Sequence, residues 1–449
     1  MNTSCPTARW SRTLCALALA CLSPWAQAGI PIQHWVMANG ARVYLVQAPG
    51  LPMVDMQIDF DAGARRDPAT QAGLASATAD MMSKGVAAAG GLPAMDENAL
   101  GEAWADLGAS LSFNASNDRF SINLRSLTRT DLLDAAVLLA ARQLAHPSFP
   151  EPVWQSERQR WQASLAEANT KPAYVAGRAF AAAVYGTHPY GYDTTPAHLQ
   201  AIEVEHLRAF HARYLHTCQA RVSIVGALNR SQAQARVTQL LDGLPQAKAC
   251  AALPAVPEVQ PLARAQDIAI PFESAQAHVF IGQPGIARQS PDFLALTVGN
   301  YVLGGGGFVS RLTEQVREKR GLSYSVSSYF SPSMHAGAFR IALQTRANQA
   351  AQAVQVAREV LADFVQRGPT EAEVQAAKDN LIGGFALRLD SNRKLLDNVS
   401  NIAWYDLPLD YLDTWSDKVQ GLTTADIQAA FARTLQPERM VTVVLGAKP

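Results

Sequence analysis

The chain has 449 residues, 48% hydrophobic and 17% charged, a globular composition with length enough for two domains. Lys+Arg and Asp+Glu both number 38, so there is no electrostatic footprint for nucleic acid or an anionic membrane surface. Beyond residue 30 no run of 18 apolar residues occurs, and no membrane span is expected in the mature chain.

Residues 1–28 read as a secretory signal peptide. Arg9 and Arg12 form a basic start, and LCALALACL (14–22) is an apolar core too short to span a bilayer. Ala26-Gln27-Ala28 is a small-x-small cleavage site, and the expected location is the periplasm. Ala18-Leu19-Ala20 is a poor lead-in to a lipid-modified Cys21, so no lipoprotein anchor is expected. Cleavage removes Cys5, Cys15 and Cys21. The remaining Cys218 and Cys250 form one disulfide in an oxidising compartment, or stand as two free buried thiols.

The mature chain opens on two strand patterns, ARVYLVQA (41–48) and VDMQIDFDA (54–62). GLASATADMMSKG (73–85) follows and reads as the first long helix. An alanine-rich helix (131–145) then leads through a proline turn to a second helix near Glu151. The first half closes with LRAFHARYLHTCQARVSIVGAL (207–228), a helix, a turn and a β-branched strand. Pro254, Pro257 and Pro261 fix φ and remove donors across residues 248–266, which reads as an extended linker. The second half repeats the first. Strands HVFIGQP (278–284) and FRIALQT (339–345) precede a helix at 351–365 and another near Thr370. IQAAFARTLQPERMVTVVLGAK (427–448) aligns without gaps on 207–228, at an offset of 220 residues. The expected fold is α+β, with two homologous domains of mixed sheet and helices in tandem. These are residues 29–249 and 267–449, joined by a linker at 250–266.

Three stretches carry a resemblance: DAGARRDPATQAGLA (61–75), YGTHPYG (185–191) and LGGGGFVSRLTEQVREKRGLSYSVSS (303–328). With them the chain resembles the insulinase, pitrilysin and mitochondrial processing peptidase family over nearly its whole mature length. That resemblance implies pairing with a second such chain as a clamshell around a chamber. Active members carry H-x-x-E-H on the helix at 73–85. Two imidazoles at i and i+4 share a face and grip one Zn²⁺, and the Glu activates its water. Here Ser76 and Asp80 fall at the His positions and Ala79 at the Glu position. A third ligand, a Glu seven residues after another Glu, corresponds to Ser164 after Glu157; Glu167 lies one turn further on. No metal is expected in this chain. His206, His211 and His216, spaced by five, point in different directions and read as surface or capping residues. No G-x-S-x-G elbow or Cys–His pair offers another nucleophile.

The family also uses an Arg and a Tyr spaced R-x6-Y, which the resemblance carries onto Arg317 and Tyr324. Guanidinium and phenol are donors that can hold a peptide backbone and an oxyanion. Arg320 competes at closer range. The alternative is a solvated helix-end Arg and a packed strand Tyr. Gly304, Gly305, Gly306 and Gly307 read as a tight turn, with Ser310 as a helix cap. The resemblance adds a substrate-contacting glycine loop at this place.

The resemblance implies a periplasmic, non-catalytic subunit of a heterodimeric zinc metallopeptidase. It would bind peptides and supply Arg317 and Tyr324 to a homologous partner that carries H-x-x-E-H and the zinc. A structural or peptide-binding scaffold with no role in proteolysis is the alternative. An independent enzyme ranks last, for want of any clustered nucleophile, base or metal set.

Overall fold

A computed structural model describes residues 29–246 and 250–446. Residues 1–28, with the expected signal peptide, lie outside the described residues.

The first half carries strands β1 (Gln33–Val36), β2 (Arg42–Gln47), β3 (Met53–Phe60), β4 (Gly85–Val86), β5 (Met95–Asp96), β6 (Ser110–Ala115), β7 (Phe120–Leu127) and β8 (Arg221–Gly226). Its helices are α1 (Leu74–Met81), α2 (Glu97–Asp106), α3 (Thr130–Ala145), α4 (Glu151–Ala168), α5 (Pro172–Tyr185), α6 (Pro196–Gln200), α7 (Val204–Tyr214) and α8 (Arg230–Leu241). The second half carries β9 (Gln266–Ile270), β10 (Ala277–Pro284), β11 (Ser323–Phe330), β12 (Ala338–Thr345) and β13 (Val441–Leu445). Its helices are α9 (Phe293–Asn300), α10 (Ala350–Arg367), α11 (Glu371–Gly383), α12 (Asn392–Trp404), α13 (Tyr411–Gln420) and α14 (Thr424–Thr434).

The fold is α+β, built on two sheets of one design. The first runs β1-β2-β8-β3-β7-β6 and the second β9-β13-β10-β12-β11. From β2 onward the orders correspond strand for strand. The parallel β2/β8 pair matches a parallel β9/β13 pair, and the other neighbours are antiparallel in both. The offset of 220 residues holds for the starts of α3 and α10, α4 and α11, α5 and α12, α7 and α14, and β8 and β13.

Each sheet buries one face under its own helices. Ile58, Phe60, Ile122 and Ile224 pack with Leu133, Val137 and Phe210 in one core. Ile281, Phe339 and Ile341 pack with Leu361, Phe364 and Phe431 in the other. The opposite faces are covered by an exchange. Ala176, Phe180 and Val184 of α5 lie on Val441, Val443 and Leu445 of the second sheet. Leu396, Val399 and Ala403 of α12 lie on Tyr44, Val46 and Val225 of the first. Each half therefore finishes the core of the other.

The stretch 73–85, expected as a long helix, yields only the eight residues of α1. The buried Asp67 carboxylate accepts from Gly73 N at 2.8 Å and Ala75 N at 2.9 Å, which caps its start. Beyond Met82 the chain leaves the helix through Gly85, at φ 151°, and pairs as β4 with β5. Between Cys250 and Ala265 the chain has neither helix nor strand. Cys218 and Cys250 are joined as a disulfide with Cα atoms 5.7 Å apart, which ties this stretch to the turn before β8. Among the described residues no helix is long and apolar enough to cross a membrane.

Candidate functional site

The glycine run closes a turn against β11. Helix α9 continues into a π-helical turn at Tyr301–Gly305, a geometry that recurs at functional sites. Gly304 sits directly on the strand: a Cβ there would meet Ser328 Oγ at 2.5 Å and Ser328 N at 2.6 Å. Ser328 Oγ donates to Asn300 Oδ1 at 2.7 Å, and Asn300 Nδ2 donates to Ser328 O at 3.0 Å, which pins the turn. Gly307, at φ 63°, reverses the chain in a left-handed conformation that favours glycine. The Ser310 hydroxyl donates to Gly307 O at 2.7 Å and closes this turn, while its carbonyl accepts from Glu314 N at 3.0 Å at the start of the next helical stretch.

The turn ends in two apolar residues held in water. Phe308 is 69% exposed and Val309 71%. A second π-helical stretch, Thr313–Glu318, then delivers Arg317, and Gly321 at φ 61° turns the chain into β11, where Tyr324 is 80% exposed. The three side chains converge. The Arg317 guanidinium carbon lies 4.6 Å from the Phe308 ring centre and 5.0 Å from that of Tyr324, within cation–π range of both. Arg320 is occupied elsewhere, donating to Gln315 O and Oε1 at 2.8 Å. Glycine turn, Arg317 and Tyr324 thus share one surface. Phe308 belongs to it and was not singled out from the sequence, where a Phe-Val pair between a glycine run and a helix reads as core.

The degenerate metal positions occupy a different environment. Ser76 and Asp80 lie on one side of α1, Ala79 is buried, and Ser164 on α4 is exposed. Glu167 turns to Lys171, 2.8 Å away, and does not approach them. Buried Glu157 faces Lys84 Nζ at 3.1 Å and pairs with Arg160. Lys84 also reaches Glu97 at 2.9 Å. Burial raises the Asp80 carboxyl above its ordinary value, opposed by Lys84 and Arg160. Its Oδ2 is buried without a hydrogen-bond partner. One carboxylate, two hydroxyls and a methyl beside an ammonium and a guanidinium do not fit zinc, which takes several anionic or imidazole donors. Among the described residues no group of three His, Cys, Asp or Glu is placed to hold a metal. Lys84 is four residues after Asp80, the spacing that would have flagged it in the sequence.

The other two family-like stretches knit the halves together. The Tyr190 hydroxyl donates to Asp118 Oδ1 at 2.5 Å and accepts from His335 N at 3.2 Å. Arg65 pairs with Asp118 at 2.9 Å and Asp61 at 2.7 Å, and Tyr185 OH accepts from Ala338 N at 2.9 Å. His206 Nδ1 accepts from Glu203 N in a capping box, and His211 Nε2 contacts Leu144 O at 2.7 Å, so neither is poised as a ligand.

Fold and degenerate helix together define a class: a metallopeptidase-like chain whose residues at the motif positions, Ser76, Ala79, Asp80 and Ser164, do not fit zinc. Comparison with known proteins gives the family. A family model described as "Peptidase M16 inactive domain" matches residues 201–381. A solved structure of a peptidase M16 inactive domain from Pseudomonas fluorescens is 33% identical, covers 93% of this chain and 98% of its own, and superposes with a TM-score of 0.87. The chain belongs to the peptidase M16 family. The "Non-peptidase homolog YmxG" of Helicobacter pylori is 25% identical over 399 residues, 87% of this chain and 88% of the relative. The periplasmic protease PqqL from Escherichia coli shares the fold at 18% identity and a TM-score of 0.78, covering 93% of this chain and 45% of that one.

Proposed function

We propose that this chain is the non-catalytic, periplasmic subunit of a heterodimeric zinc metallopeptidase. Its partner is a homologous chain bearing H-x-x-E-H and the zinc, and its substrates are extended peptides. The observation that carries this reading is the asymmetry between two sites. The metal positions carry Ser76, Ala79, Asp80 and Ser164, with the Lys84–Glu157–Arg160 ion pairs lying beside them. Half-buried Arg317 and exposed Tyr324 instead stand side by side on a braced turn. Arg317 pairs through its Nε with neighbouring Glu318 at 3.2 Å, and its remaining N–H donors can hold a peptide carbonyl or the oxyanion formed from it. Phe308 and Val309 supply apolar contact beside those donors. The test is reconstitution: this chain and the H-x-x-E-H chain, inactive apart, should cleave an unfolded peptide when mixed. Activity of the partner alone, equal to that of the mixture, would overturn the reading.

A further inference from the structure

We infer that the second half holds a binding pocket for an organic carboxylate on an apolar or aromatic body, distinct from the Arg317–Tyr324 surface. A cavity of about 460 Å³ lies between α9, the ends of β10 and β11, and helices α12 and α13. Its walls are aromatic: Tyr329, Phe330, Tyr405 and Tyr411 line it, and Phe385 and Trp415 stack at 4.4 Å with planes 8° apart. Ligand pockets characteristically combine such walls with a few fixed polar groups.

The charged groups are of one sign. Arg288 and Arg388 line the cavity, and among the described residues no Asp or Glu does. Neither arginine makes an ion pair with a described residue. The acids nearest in sequence are taken, Asp292 by Arg433 at 2.7 Å and Asp390 by Lys394 at 2.9 Å. Arg288 is held in place, its guanidinium 3.7 Å over the Phe293 ring and donating to Tyr411 OH at 2.9 Å. Arg388 is exposed at the rim. Two guanidinium groups without carboxylates, one fixed inside and one free at the mouth, complement an anion that brings its own apolar body. Their planar forks match a carboxylate, and the stacked rings match an aromatic or branched side chain. A free carboxylic acid and the C-terminus of a peptide share this chemistry.

The experiment is titration of the full mature chain with N-acetyl-phenylalanine, and separately with a five-residue peptide ending in Phe. Each is compared with its C-terminal amide, followed by calorimetry and by the change in tryptophan fluorescence that is lost in W415F. Both carboxylates binding at least tenfold tighter than their amides, with R388Q weakening them at least fivefold, supports the pocket. Binding of the free acid alone assigns it to small carboxylates, and binding of the peptide alone assigns it to peptide C-termini. Arg388 is exposed, so R388Q should fold, and an unchanged melting curve would verify this. Amides binding as well as acids, R388Q binding as well as the parent, or no ligand binding at all would overturn the inference.

Discussion

Arg317 and Tyr324, seven residues apart, meet across the left-handed turn at Gly321 with the guanidinium carbon 5.0 Å from the ring centre. Neither is buried, so removing the arginine should spare the fold and act on function. In the reconstituted complex, R317A should lower kcat by about 10²–10³-fold, the loss typical of one oxyanion donor. Assembly measured by gel filtration should not change. Parent-level turnover in that variant would remove Arg317 from the chemistry.

Helix exchange makes the two halves interdependent. Phe180 is 3% exposed against the second sheet. F180A should destabilise the chain by about 3–5 kcal/mol, the usual cost of emptying a buried Phe site, read by urea unfolding. Residues 29–249 expressed alone should lack a cooperative transition, because α5 would then carry an uncovered apolar face. A sharp, independent transition for that piece would count against the exchange as a source of stability.

Much of this architecture was legible in the sequence, and the limits have physical causes. The repeat of 207–228 at 427–448 announced the duplication, because each copy must rebuild the same helix, turn and strand. The exchange was not legible. Phe180 and Val184, or Leu396 and Val399, follow the same helical period whichever sheet they cover, so periodicity reports a buried face and not its partner. In the sequence Ser83, Lys84 and Gly85 read as the end of the helix, whereas in the fold Gly85 already belongs to β4. At the site, the R-x6-Y spacing located Arg317 and Tyr324, but exposure of Phe308 depends on the turn that Gly307 makes.

Glu373 gives the account a pH signature. Burial alone would raise its carboxyl, but Arg311 at 2.7 Å to each oxygen and the Thr370 N–H more than reverse this and bring it to about 2. A folded-state value below the unfolded one contributes stability above about pH 4.5, which is lost as pH falls toward 2. The melting temperature should therefore drop more steeply across that window in the parent chain than in E373Q. Parallel curves would deny Glu373 this role.

Lys84 pairs with the buried Glu157 carboxylate at 3.1 Å. K84M leaves that carboxylate with Arg160 alone and should cost about 3 kcal/mol, at the lower edge of values for breaking a buried pair. Chelation with EDTA should leave the melting temperature of the isolated chain unchanged. A drop on chelation, reversed by added zinc, would show that a metal holds this region.

The central claim is that this chain completes a zinc peptidase it cannot form alone. The most direct measurement is mild affinity isolation of the tagged chain from its native cells, with mass spectrometry of the proteins that accompany it. The account predicts a second chain in near-equal amount that carries H-x-x-E-H. Recovery of the chain alone, or with proteins that lack that motif, would contradict it.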